Sequence, residues 1–258
     1  MLEDNTTGFL GRKVFFLHPS VLIQNQVIEE LVQEEYEIYA VKDESKLRCL
    51  LKRYPDSIVF ANISDGMKES AWEEWIRSVL TSSETAGTDI GIIAYADNEN
   101  FRYKYLDQMR VRCGFTVMKA DLSTVITQLK KILSSANAKG RRKFIRAIIS
   151  NGANISVNLP MNGTFVNGII RDISTMGFSC YFADDPGLTK NHHYTDIQIR
   201  LKSQLLKVQG MVFGSRMQQY EKVYVILFTP RTSPDVLAKV RTFIHSYLQS
   251  KMDMELKD

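Results

Sequence analysis

Hydrophobic positions change their spacing halfway along the chain. Between residues 13 and 136, short apolar runs alternate with stretches whose apolar residues recur every three or four positions. KVFFLHP (13–19), EIYAVKD (37–43), SIVFANI (57–63), DIGIIAYA (89–96) and GFTVMKA (114–120) read as strands. Val21, Ile23, Val27, Ile28, Leu31 and Val32 predict a helix over 20–36, with Ser20 placed to cap it. ESKLRCLLKRY (44–54) is an amphipathic helix stopped by Pro55. A third helix centres on Trp72, Trp75, Ile76 and Val79 and fades into TSSETAGT. A fourth covers 99–110, and a fifth starts at Ser123 and runs toward 136. Strands that are apolar nearly throughout, alternating with helices, predict a doubly wound five-stranded parallel sheet covered on both faces.

Past residue 136 the helical period stops. SSANAKGRRKFIR (134–146) is small and polar, then basic, and reads as a linker over 137–146 pivoting at Gly140. IRAIISNG, ANISVNLP, GTFVNGIIRDIS, GFSCYFAD, DIQIRLKS, LLKVQGMVFGS and KVYVILFTP follow as short β segments. Asn151-Gly152 and Asn162-Gly163 are hairpin signals between them. Such a run predicts a small antiparallel barrel over 147–258. From Ser233 a helix returns, with Val236, Leu237, Val240, Phe243, Ile244, Tyr247 and Leu248 on one stripe. The expected class is therefore α/β plus all-β, with a first domain over 1–136.

Composition adds little until charge is divided between the halves. The 258 residues are 44% hydrophobic and 24% charged, in the ordinary globular range. No stretch approaches a membrane span, and the first residues lack the basic-then-apolar pattern of a secretory leader. Cys49, Cys113 and Cys180 are too scattered for a disulfide framework or a metal knuckle, so a cytoplasmic protein with buried thiols is expected. Net charge is +4, but residues 1–138 carry −4 and residues 139–258 carry +8. The second half is thus suited to an anionic partner.

Two short motifs fall inside that basic half. Arg142 and Arg146 form RxxxR, preceded by Arg141, and Asp172-Ile173-Ser174-Thr175-Met176-Gly177 forms DxSxxG. Taken singly, RxxxR is a common basic pattern. DxSxxG also fits a plain hairpin turn whose Asp and Ser bond nearby backbone. Together, and placed before the first barrel strand and deep within the barrel, they make the sequence resemble the PilZ family of cyclic di-GMP receptors. The resemblance covers about residues 139–250 and includes Gly177-Phe178, Gly210-Met211-Val212, the strand Tyr224-Val225-Ile226-Leu227-Phe228 and the final helix.

The resemblance implies that Arg142 and Arg146 clamp the dinucleotide while Asp172, Ser174 and Gly177 form a floor on the barrel. A basic residue at Arg141 implies two ligands per protomer. The chemistry agrees. Arginine forks onto phosphate oxygens or onto guanine O6 and N7, and a carboxylate accepts from guanine N–H groups. Ligand binding is then expected to order the linker and change the interdomain arrangement, signalling to an unknown protein partner in a process such as motility. The alternative is a nucleic-acid-binding regulator using the basic half, with the dinucleotide as modulator.

The first half resembles a response-regulator receiver without its chemistry. His18-Pro19 stands where acidic residues hold Mg²⁺ and Ala61-Asn62 where the phospho-accepting Asp belongs. Asp65 lies too far along, and only Lys119-Ala120 matches the receiver lysine. No phosphoryl transfer is expected, and the domain reads as a scaffold for protein contacts. Phe101, Arg102, Tyr103, Lys104, Tyr105, Arg110 and Arg112 interleave bases and aromatics. That pattern fits a nucleic-acid surface or, more simply, a surface helix with one apolar face. His192-His193 lacks further ligands at metal spacing, Trp72 and Trp75 read as packing, and Gly152, Gly163 and Gly168 form no phosphate loop. No catalytic set or metal site emerges, so a non-enzymatic receptor is expected.

Overall fold

The computed structural model describes residues 11–141, 143–150, 153–218 and 220–255. The chain forms two compact units. One consists of the chain up to Lys143 together with the segment from Gln249 onward, the other of Phe144–Leu248.

The first unit is built on β1 (Lys13–Leu17), β2 (Ile38–Val41), β3 (Ser57–Asn62), β4 (Asp89–Ala94) and β5 (Phe115–Val117). All pair in parallel, in the order β2-β1-β3-β4-β5. The crossovers are α1 (21–33), α2 (Glu44–Arg53), α3 (Glu69–Thr81) and α4 (99–108), and α5 (Leu122–Ser135) follows the last strand. This is the predicted doubly wound architecture. The strands are buried because both faces are covered: every residue of β3 is buried, as are Val14, Phe15, Phe16 and Leu17 of β1. Ser20 caps α1 as expected, its Oγ accepting from Ile23 N at 3.4 Å.

Chemistry that the hydrophobic pattern ignores sets several boundaries. α5 begins at Leu122, ahead of the expected Ser123, because the Asp121 carboxylate accepts from Thr124 N at 3.3 Å. It ends where Asn137 turns to φ +52, with Ala138 N bonded to Leu133 O and Asn137 N to Ser134 O. The polar stretch after α3 is ordered by a 3₁₀ turn, Ser83–Thr85, in which buried Thr85 donates to Val79 O at 2.7 Å. Cys113 and Cys180 are buried, but Cys49 is exposed, which corrects the expectation for all three thiols. On α2 it lies off the side formed by buried Leu47, Leu50 and Leu51.

The second unit contains β6 (Arg146–Ile148), β7 (Ile155–Met161), β8 (Thr164–Ser174), β9 (Gly177–Phe182), β10 (His193–Leu201), β11 (Gln204–Gln218) and β12 (Glu221–Phe228). Their order is β6-β8-β7-β10-β11-β12-β9, and β9 pairs again with β8, so six strands close a barrel. β6 lengthens one stave by pairing with the end of β8. Closure removes the open sheet edges that would otherwise invite pairing with other chains. Asn162 (φ +50) and Gly163 (φ +80) make the β7–β8 turn, whose backbone twist suits a right-twisted hairpin. The Asn151-Gly152 turn lies outside the described residues. The last helix, α6 (Pro234–Glu255), adds Val240, Phe243 and Ile244 to the barrel core. Among the described residues no helix is long and apolar enough to cross a membrane.

Candidate ligand-binding site

The DxSxxG segment is the end of β8, a two-residue turn and the start of β9. Ser174 pairs with Gly177, Ile173 with Phe178 and Asp172 with Ser179. Ile173, Phe178 and Cys180 point into the core, so alternation places Asp172, Ser174 and Ser179 on the opposite face. β6 runs beside the same stretch, with Arg146 opposite Ser174 and Ile148 opposite Asp172. Four of the expected residues, Arg146, Asp172, Ser174 and Gly177, are thereby neighbours. Their positions follow from two adjacent strand pairings.

Each has a definite environment. The half-exposed Arg146 guanidinium lies with Nε 3.4 Å from Asp172 Oδ1. Ser179 donates to the other carboxylate oxygen, Oδ2. Asp172 is thus held from two sides, while among the described residues the contact given for Arg146 uses only its Nε. Ser174 is buried and serves the turn, donating to Gly177 O and accepting from Met176 N, both at 3.3 Å. The Cys180 thiol behind the site is pushed up, first by burial and then by the Asp172 charge.

Arg141 is exposed, in the segment that follows α5. That segment is tied to the first unit: Arg12 N donates to Ala138 O at 2.8 Å, and Lys139 Nζ lies 4.6 Å from the Tyr36 ring centroid and 3.8 Å from Glu34. Arg142 lies outside the described residues. Ser179 was not singled out from the sequence, although counting back from a two-residue turn at Thr175-Met176 places it opposite Asp172.

At the β1/β3 switch point of the first unit, where doubly wound sheets bind ligands, the crevice is occupied by the chain's own groups. Asn62 Nδ2 donates to His18 O at 2.8 Å, and His18 meets Glu44 at 3.2 Å and the edge of Trp72 at 5.7 Å. The Asp65 carboxylate accepts from Gly66 N, and its backbone carbonyl accepts from Trp72 Nε1. Among the described residues no group of three His, Cys, Asp or Glu is gathered to hold a metal. Three of the four basic residues around α4 lie against carboxylates: Arg102 against Asp97, Lys104 against Glu69 and Glu73, and Arg112 against Asp89. Tyr105 is core. That pairing weakens the helix as a phosphate-binding surface. His192 packs edge-on against Tyr194 at 4.6 Å.

No family model matches the chain, and no curated protein matches it. Solved structures similar to it include YcgR of Escherichia coli in complex with c-di-GMP. That match is 13% identical over 46% of this chain and 51% of that one, with TM-score 0.40. MrkH of K. pneumonia, as its c-di-GMP complex, is 15% identical over 43% of this chain and 53% of that one, with TM-score 0.38. The chemotaxis response regulator CheY4 of Vibrio cholerae is 15% identical over 48% of this chain and 99% of that one, with TM-score 0.40. The match to YcgR spans about half the length of that protein.

Proposed function

We propose that the chain is a PilZ-type receptor for cyclic di-GMP, non-enzymatic, with a receiver-like first domain that carries no phosphorylation chemistry. The observation that carries this reading is the meeting of Arg146, from the basic lead-in, with Asp172, from DxSxxG, on one face of the barrel. A guanidinium beside an anchored carboxylate offers complementary groups to a phosphodiester and to a guanine, whose edge presents both acceptors and donors. Arg142 and Arg141 add the charge that two phosphates, or a second ligand molecule, require. Ligand binding orders the arginine lead-in, and this change passes the signal to a protein partner in the cytoplasm.

Calorimetric titration with cyclic di-GMP tests the reading and counts the ligands. Each arginine removed is expected to cost about 1.5–3 kcal/mol, the range for a hydrogen bond to a charged group. An Arg142→Ala/Arg146→Ala double variant should therefore bind at least about a hundred-fold more weakly. Equal affinity for wild type and variant would overturn it. Unchanged small-angle scattering on saturation would remove the ordering step.

A further inference from the structure

Next to the Arg146–Asp172 pair is a cavity of about 350 Å³ that the two motifs do not account for. Its lining includes Ile169, Arg171 and Tyr181 from β8 and β9, with Ser150, Asn154 and Ser156. Arg171 owes its position to a break in register. The pairing of β8 with β9 slips between Ile170 and Asp172, leaving Arg171 as the extra residue, and such bulges re-aim a side chain. The guanidinium carbon lies 5.6 Å from the Tyr181 ring centroid. Nη1 is 3.8 Å from Glu221 Oε2, beyond hydrogen-bond reach. That nitrogen is buried and has no hydrogen-bond partner among the described residues. The side chain as a whole is 27% exposed and lines the cavity, so the other guanidinium donors are the ones a ligand there can meet.

We infer that this cavity takes a guanine base of the dinucleotide, with Arg171, held against Tyr181, donating to the O6 and N7 edge. The inference rests on the cyclic di-GMP reading above and gives it a base-reading residue outside both motifs. The volume lies within the range of small-molecule sites. Tyr181 follows Ser179 by two positions on the same strand face, and Arg171 immediately precedes Asp172, so cavity and motif site adjoin. Adenine presents an amino donor where guanine presents O6, and an arginine that can only donate rejects it.

The test is calorimetric titration of the full chain with cyclic di-GMP and cyclic di-AMP. Wild type, Arg171→Lys and Ser156→Trp are compared, with circular dichroism to confirm folding. Wild type should prefer the guanine dinucleotide by at least about ten-fold, the discrimination expected of one bidentate arginine–guanine pair. Arg171→Lys keeps the charge and loses the planar fork, so that preference should collapse. Ser156→Trp fills the cavity while leaving Arg171 in place, so cyclic di-GMP affinity should fall at least about ten-fold. If Arg171→Lys does not fold, Ser156→Trp decides alone. Tight binding by wild type with wild-type affinity and guanine preference in every folded variant would overturn the inference and leave the receptor reading standing. Absence of cyclic di-GMP binding by wild type would overturn both.

Discussion

At Gly177 the missing side chain serves the sheet. A Cβ there would fall 2.1 Å from Ile226 O and 2.8 Å from Leu227 Cα, both backbone atoms of the neighbouring strand. Neither can move without separating β9 from β12. Gly177→Ala is therefore expected to destabilise the barrel by about 1–3 kcal/mol, the range for overpacking. Thermal melting should show a fall of several degrees. An unchanged melting temperature with lost ligand affinity would assign the glycine to the ligand instead. The motif placed this residue at the opening of the strand after the turn, where it stands, but the sequence could not show which backbone lies against it. Ser174 is similar, since its hydroxyl is engaged by the turn. Asp172 and Arg146 were each singled out through their motifs, but their meeting was not legible, because it comes from the pairing of β6 with the end of β8. Arg171 was not legible either, because a bulge leaves no mark on the alternation of apolar positions.

Elements were most legible where one rule acts alone. The five parallel strands are apolar runs, and apolar runs are what burial on both faces demands. β10 is longer than expected, starting at His193 in place of Asp196, since its register shifts between Tyr194 and Ile197 and breaks the alternation there. β6 is only three residues long, because it pairs with nothing beyond the end of β8. Side-chain hydrogen bonds that fasten a loop to a strand were invisible in the pattern. β12 supplies the clearest case. Tyr224 donates to Asp185 Oδ1 and accepts from Leu188 N at 3.3 Å, and Lys222 Nζ lies 3.0 Å from Asp185 Oδ2. The tyrosine's hydrogen bond first, then Gly187 N–H and Lys222, hold the Asp185 carboxyl down at about 2 from its ordinary 3.8. A folded-state value below the unfolded one stabilises the fold above about pH 4, and that contribution is lost as pH falls toward 2. Tyr224→Phe should weaken this acid sensitivity, so its stability should decline less over that window than wild type's. Parallel pH-dependent melts check this. Curves of identical slope below pH 4 would show that the tyrosine does not set the carboxyl.

Across the whole molecule, the charge division between residues 1–138 and 139–258 marks the change of architecture, and the basic run over 139–146 lies where one unit gives way to the other. Linear order hides a second feature. The residues from Gln249 onward, encoded after the barrel, group with the first unit. Gln249 Oε1 accepts from Ala40 N at 2.9 Å and its Nε2 donates to Ala40 O at 3.1 Å, satisfying a backbone pair on β2, the edge strand of the parallel sheet. Glu255 receives Tyr54 Oη at 2.8 Å and Arg53 Nη1 at 3.1 Å, and Met252 is buried. An edge strand offers unpaired donors and acceptors that proteins otherwise cover or blunt, and here a glutamine side chain imitates a neighbouring strand. Gln249→Leu preserves bulk and removes both hydrogen bonds, leaving the Ala40 amide and carbonyl unmatched. The expected cost is about 1–3 kcal/mol, and it should fall on the parallel sheet although the substitution lies in the helix that closes the barrel sequence. Hydrogen exchange followed residue by residue should show the Ala40 amide accelerated in the variant, with the amides of β10 and β11 unchanged. Equal protection of Ala40 in both proteins would mean that another group covers the edge and that the C-terminal segment adds nothing to the first unit through Gln249.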